Sequence, residues 1–158
     1  MAAGSLITLV LDQASKFAVV RWLDLATAHV IPVVPPYLMF KMAWNQGANF
    51  GVFKQHNQWP LIALSVAVSL TMILWTPRTR GRIAPFAGGM VIGGALGNAL
   101  DRILYGAVAD FLNMSCCGLE NPYAFNVADA AIFLGAALLL ISGIIRGHAR
   151  RKEPRALG

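Results

Sequence analysis

The chain has 158 residues, room for one domain. It is 57% hydrophobic and only 13% charged, with a mean hydropathy of +0.60, whereas soluble domains are roughly a quarter charged; the composition argues against an ordinary water-soluble globule. The net charge of +6 raises nucleic acid as a partner, but eight of the thirteen basic residues fall in two short segments that a membrane topology explains better, and no aromatic and basic platform accompanies them. No nucleic-acid partner is expected.

A membrane span needs about 20 predominantly apolar residues. Taken in chain order, spans are expected over 5–23, 58–75, 84–104 and 125–145, the first interrupted by Asp12, Lys16 and Arg21. Only eleven residues precede Asp12, so the first span is expected to be short, tilted or truncated by start-site choice. No secretory signal peptide is evident, because the first residues lack a basic n-region. Between the first two spans, segment 24–57 is too long for a tight turn. Its VIPVVPPYLMF and KMAW runs hold β-branched and aromatic residues around Pro32, Pro35 and Pro36, which predicts short edge strands; NQGANFG then supplies turn residues, so a small extended platform on the outer surface is expected.

Arg78, Arg80 and Arg82 in the loop after the second span, and Arg146, Arg150, Arg151, Lys152 and Arg155 in the tail 146–158, mark cytoplasmic segments by the excess of Lys and Arg. With four spans, both termini are then cytoplasmic. Gly89, Gly93 and Gly97 recur every four residues in the third span; without a GK[ST] ending or a preceding strand they read as a ridge for close helix packing rather than a phosphate loop. That span is expected to end at Tyr105-Gly106, since glycine favours the position past a helix C-terminus.

Ionisable residues within spans are rare because charge in lipid costs at least a few kcal/mol, so each is a candidate functional residue. Of five aspartates, Asp12, Asp101, Asp110 and Asp129 lie in or at the edge of the expected spans. Asp12 and Lys16 have the i, i+4 spacing of a helical ion pair. Asn98, Asp101 and Arg102 share one face of the third helix, where contacts among them could be interhelical glue or part of a site. Asp110, on the outer interface, and Asp129, in the first turn of the fourth helix, return to one depth. Two carboxylates in a partly dry site cannot both ionise easily; such a pair can serve as general base and general acid, although proton relays and ion sites use paired acids too. Cys116 and Cys117 are adjacent, and His29, His56 and His148 are scattered, so neither a disulfide framework nor a metal site is expected, and no cofactor is implied.

Five blocks, DQASK at 12–16, NQGANF at 45–50, GGALGNALDR at 93–102, GAVADF at 106–111 and FNVADAAI at 125–132, resemble in order and spacing the signature blocks of bacterial lipoprotein signal peptidase, signal peptidase II. The resemblance covers nearly the whole chain. It implies an all-α integral membrane fold, four transmembrane helices with a small β-cradle on the outer, periplasmic face, formed by 24–57. It implies an aspartic endopeptidase of the bacterial inner membrane, a monomer without cofactor, that cuts diacylglyceryl-modified prolipoproteins on the N-terminal side of the lipidated cysteine. Asp110 and Asp129 fall on the catalytic blocks; Asp12, Lys16, Asn45, Gly47, Asn98, Asp101, Arg102 and Asn126 fall on supporting positions. Asn49 stands where the family usually has alanine. A different class, a small four-helix proton-coupled or ion-conducting transporter, would instead distribute its acids through the membrane depth.

Overall fold

The computed structural model describes residues 1–47, 57–76, 81–116 and 121–152. Helix α1 (Ala2–Lys16) continues into a π-helical stretch (Phe17–Trp22), followed by the short α2 (Leu25–Ala28), strands β1 (Val30–Val34) and β2 (Leu38–Asn45), α3 (Trp59–Trp75), α4 (Ile83–Tyr105), β3 (Val108–Met114) and α5 (Val127–Lys152). Together α1 and the π stretch make a 21-residue apolar helix, Ala2–Trp22, long enough to cross a bilayer, as is the 23-residue α4. This first helix runs past Lys16 to Trp22. Helix α3 and the segment Val127–Gly143 of α5 are apolar but shorter.

Helix α4 is the hub of the bundle, packing against α1, α3 and α5. Its composition explains this. On one side Gly89, Gly93 and Gly97 face α1, and a methyl group at these positions would collide with the Met1 and Ser5 backbone, with Thr8, and with the Asp12 carboxylate respectively. On another side Gly94 meets Ala128 and Ile132 of α5, while Gly135 of α5 answers with a close approach to Ala87 and Val91. Without Cβ atoms the helix backbones approach closely, and van der Waals contact replaces the hydrophobic driving force that lipid does not supply. The outer faces remain apolar: Leu64, Leu70, Ile73 and Leu74 of α3 and Leu6, Val10 and Leu11 of α1 are exposed, a surface that suits acyl chains rather than water.

The sheet covers one end of this bundle. It is antiparallel in the order β1-β2-β3. Strands β1 and β2 arise where the prolines and β-branched residues point to them. The third strand is a correction to an all-α expectation: residues after Gly106 do not merely run along a surface but pair with β2, Ala43 opposite Asp110 and Trp44 opposite Ala109. The turn into β3 depends on Gly106, whose φ of 71° closes α4 through a bond from its N–H to the Arg102 carbonyl, 3.1 Å. Phe111 and Leu25, both fully buried, anchor the sheet to the π stretch through Val19, with Phe40 edge-on to Phe111 at 5.8 Å. Each such side chain contributes about 2 kcal/mol when removed from water. Phe125 bridges back to Leu112, so α5 starts at Val127 rather than at Phe125.

Gly93→Leu should lower thermal stability in detergent by about 3 kcal/mol, the upper end of overpacking costs, because its side chain has only α1 to displace. Gly143→Ala, where an added Cβ meets nothing within 4 Å, should leave the melting temperature unchanged or slightly raised.

Candidate active site

The site lies where the sheet meets the bundle. Asp12 of α1 is fully buried, and its carboxylate is saturated with donors: Lys16 Nζ at 2.8 Å and Gln13 Nε2 at 3.1 Å on Oδ2, and the Ala128 backbone N–H at 2.9 Å on Oδ1. The last bond means that α1 supplies an acceptor to the first turn of α5, whose N–H groups have no partners within their own helix. Lys16 reaches a second acid, Asp101 of α4, at 2.8 Å. Asp101 also accepts from Gln13 at 3.0 Å and from the Ala109 N–H at 3.2 Å. One lysine therefore ties α1 to α4, and the two acids tie that pair to α5 and β3. A buried charge cluster tolerates its desolvation only when its lone pairs are satisfied in this way.

Asp101 does not contact Asn98 or Arg102 as its own-helix spacing allows. It faces α1 across the glycine ridge, where Lys16 is the nearer cation. Arg102 donates instead to the Asn98 carbonyl, 3.2 Å, and lies in the field of Asp129, Asp110 and Asp101; its buried Nε has no hydrogen-bond partner among the described residues.

Next to the cluster sits an amide relay. Asn98 Oδ1 accepts from Lys16 at 3.3 Å and from Asn126 at 3.1 Å, while its Nδ2 donates to Asp129 Oδ1 at 2.8 Å. Asn126, with no solvent exposure, is the N-cap of α5: its Oδ1 accepts the Asp129 N–H at 2.9 Å, the bond to the third helical residue that gives asparagine its capping preference. Its Nδ2 donates to Asp110 Oδ1 at 2.6 Å. From the other side Asn45 Nδ2 donates to Asp110 Oδ2 at 3.0 Å, and Asn45 Oδ1 accepts the Gly47 N–H at 2.9 Å. That small turn requires the φ of 101° at Gly47, where a side chain would also strike Leu61. Asp110 and Asp129 are thereby held on either side of one buried amide.

The two acids differ in setting. Asp110 is 2% exposed on a strand; Asp129 is half-buried in the first turn of a helix. Burial raises the Asp110 carboxyl to about 6, and the Asp129 charge adds to this, against the bonds from Asn45 and Asn126 and the Lys16 cation, which lower it. A cleft of about 810 Å³ opens beside the charge cluster, where Gln13, Lys16, Arg21, Trp44, Asp101 and Tyr105 contribute to its walls, and neither Asp110 nor Asp129 lines it. It belongs to the opposite face of β3, since Ala109 lines it and successive strand residues alternate.

All ten residues singled out by sequence gather here, Gly47 through the turn that positions Asn45. Residues 5–145 match the family described as Signal peptidase (SPase) II. The chain belongs to the signal peptidase II family. It is 40% identical over 157 residues to the lipoprotein signal peptidase of Methylorubrum extorquens (strain PA1), covering 96% of this chain and 85% of the relative. It is 38% identical over 140 residues to that of Methylobacterium sp. (strain 4-46), covering 87% of this chain and 84% of the relative. A bacterial membrane enzyme solved by the in meso method at 2.3 Å resolution has the same fold, with a TM-score of 0.76 at 22% identity over 99% of this chain and 93% of that one. Membership makes the chain a peptidase, in keeping with its two bilayer-length helices.

Sequence reasoning missed Gln13, which bridges Asp12 and Asp101. It lies inside the DQASK block, but beside the ion pair spacing of Asp12 and Lys16 a neighbouring uncharged amide carries no signal of its own. The backbone donors of Ala109 and Ala128 leave no trace in residue type at all. Asn49 lies outside the described residues.

A raised carboxylate pKa favours the neutral acid in the folded state. The unfolded chain ionises at 3.8 and the native Asp110 only near 6, so the native state holds the extra proton in that window and stability falls as pH rises through it. Asp110→Asn should remove this slope. Against wild type, the variant should gain up to about 3 kcal/mol between the two ends of the window, read from denaturation midpoints across a pH series.

Proposed function

We propose that this protein is an aspartic endopeptidase that removes signal peptides from diacylglyceryl-modified prolipoproteins, cleaving on the N-terminal side of the lipidated cysteine. One observation carries the reading: Asp110 and Asp129 are fixed by the same buried amide at the bundle end covered by the sheet. Membership in a signal peptidase family and relatives named lipoprotein signal peptidases support it.

In this reading Asp129, half-buried and near the N-terminus of α5 whose dipole favours a negative charge, is the general base that takes a proton from water. Asp110, buried and raised to about 6, is the partner that in its protonated form donates to the scissile carbonyl oxygen as the water attacks. In the collapse Asp129, now protonated, gives its proton to the leaving amine as the C–N bond breaks, and a hydroxyl of the tetrahedral diol returns a proton to Asp110, which restores the starting state. Arg102, a permanent cation in the field of both acids, offsets charge developing there. Lys16, Asp12, Asp101 and Gln13 hold the helices and do not touch the reacting atoms. The four spans, both termini on the cytoplasmic side and the dyad at the periplasmic face of the inner membrane complete the proposal. A scissile bond beside a lipidated cysteine is held at the membrane surface, which suits a dyad at one end of the bundle.

The transporter reading expects acids spread through the membrane depth. Asp12, Asp101, Asp110 and Asp129 instead interconnect through Lys16, Asn98 and Asn126 at one end of the bundle, which favours the peptidase.

Purified in detergent, the wild type should cut a diacylglyceryl prolipoprotein before its lipidated cysteine, and Asp110→Asn and Asp129→Asn should each lower kcat by about 10²–10⁴ with melting behaviour retained. Survival of cutting in either variant would refute the dyad.

The pH profile gives a separate check. If Asp110 acts as the acid, kcat/KM should fall on the alkaline side with an apparent pKa near 6. Asn45→Ala removes a bond that favours the charged form, so the limb should move to higher pH; a move to lower pH would contradict the assignment.

A further inference from the structure

Residues 121–126, which lead into α5, contain no helix, and their one strand-like pairing is the isolated bridge at Phe125. A second buried asparagine holds them. Asn113 of β3 is 1% exposed, and both protons of its Nδ2 are committed, one to the Asn121 carbonyl and one to the Tyr123 carbonyl, each at 2.8 Å. Its Oδ1 accepts from the Ser115 hydroxyl at 3.4 Å, and Ser115 Oγ accepts the Asn121 N–H at 3.1 Å. The Asn121 side chain closes the network, its Nδ2 donating to the Met114 carbonyl at 3.1 Å and its Oδ1 accepting the Tyr123 N–H at 3.0 Å. Two residues later the backbone takes over: the Phe125 carbonyl accepts the Phe111 and Leu112 N–H groups at 3.0 and 2.8 Å, and the Phe125 N–H donates to the Leu112 carbonyl at 2.9 Å. Residues 121, 123 and 125 are thus each pinned to the strand that carries Asp110.

The next residue is Asn126, whose Nδ2 meets Asp110 at 2.6 Å and whose Oδ1 takes the Asp129 N–H at 2.9 Å. Asn113 lies three positions from Asp110, about 10 Å along the strand and on its opposite face, and it bonds to neither acid. We propose that Asn113 is a positioning residue for the peptidase reaction: through the Asn121 and Tyr123 carbonyls it sets the register of 121–125 on β3, and so the point at which Asn126 reaches Asp110 and begins the helix that carries Asp129. The inference rests on the peptidase reading above and adds to it a residue that touches no reacting atom. In extended chain a slip of one residue turns every side chain to the other face, so a loose register here would take Asn126 away from Asp110. Asparagine suits the task because one short side chain carries two N–H donors, enough to hold two carbonyls of a segment that makes no ladder of its own. Without it, among the described residues, only Ser115 and the Asn121 side chain would tie 121–123 to the end of β3.

The test compares Asn113→Leu, similar in shape and without donors, with Val91→Ala, a truncation in the buried cluster of Ala84, Ala87 and Leu139 that controls for lost stability alone. Both variants should melt at lower temperature in detergent. Only Asn113→Leu should lower kcat for a diacylglyceryl prolipoprotein, roughly tenfold or more, since a misplacement of about 1 Å can cost about 10²-fold, with KM little changed. In ¹⁵N-asparagine NMR spectra the Asn126 side-chain amide, assigned through its backbone connections, should lose the downfield shift of its short bond to Asp110 in Asn113→Leu and keep it in Val91→Ala. A kcat no lower than in the control, or an unchanged Asn126 signal, would overturn the positioning role while leaving the peptidase reading intact. If Asn113→Leu does not fold, Asn121→Ala replaces it: this partly exposed residue gives up its bonds to Met114 and Tyr123, so kcat should fall severalfold and the same signal should move, and an unmoved signal would overturn the inference. Failure of the wild type to cut would overturn the peptidase reading itself, and this inference with it.

Discussion

The geometry of this protein turns on one side-chain amide. Asn126 is fully buried, and all of its polar capacity is committed: its carbonyl caps α5 through the Asp129 N–H, and its NH₂ group divides between Asp110 and Asn98. An aspartate at this position would set a third carboxylate between two others, and an alanine would leave the Asp129 N–H uncapped and take one donor each from Asp110 and Asn98, which keep only Asn45 and Lys16; a buried group left unmet costs on the order of 1–3 kcal/mol. The bond that begins the helix thus comes from the same side chain that holds the Asp110 carboxylate, while the Asp129 carboxylate is held by Asn98, itself bonded to Asn126. The start of α5 therefore cannot shift by a residue without breaking the contacts that join Asp110 and Asp129 to this amide pair.

Behind the amide stands the ion cluster of Asp12, Lys16 and Asp101, and behind that the glycines of α4. These levels depend on one another. Lys16 reaches Asp101 only because Gly93 and Gly97 let α1 approach α4 so closely, and Gly97 leaves the space that the Asp12 carboxylate occupies. Asp12 in turn donates no proton and meets no reacting atom in the proposed mechanism; it holds the Ala128 N–H, two residues from Asn126. The π-helical turns begin directly after Lys16. Such widening of a helix is frequent at functional sites, and here it brings Val19 onto Phe111 beneath the sheet.

Much of this was legible in the sequence because it rests on solvent exclusion and on local backbone preference. Spans follow from hydropathy, the end of α4 from the single residue Gly106, and the candidate acids from the rule that charge is not buried in lipid without purpose. Other features depend on pairings between distant segments. Strand β3 reads as a short apolar run after a helix, and only its register with β2 shows that Asp110 faces Asn45. Asp101 has two plausible partners on its own helix, and it takes neither because Lys16 approaches from α1, 85 positions earlier in the chain. Gln13 and the Ala109 and Ala128 amides act through geometry that residue type does not encode. The family resemblance points to the polar residues, but not to the bonds by which Asp12, Lys16 and Asp101 join α1, α4 and the start of α5.

The central claim is that burial beside Asp129 raises the Asp110 carboxyl above the ordinary carboxylate range. The most direct measurement is a carboxyl titration with ¹³C-labelled aspartate by NMR in detergent, each signal assigned by substitution, in the wild type and in Asp129→Asn. The account predicts that Asp110 holds its proton until about pH 6 and releases it at lower pH once the Asp129 charge is removed, since that charge raises it. An Asp110 signal that titrates in the ordinary carboxylate range, or that is indifferent to loss of Asp129, would contradict the account.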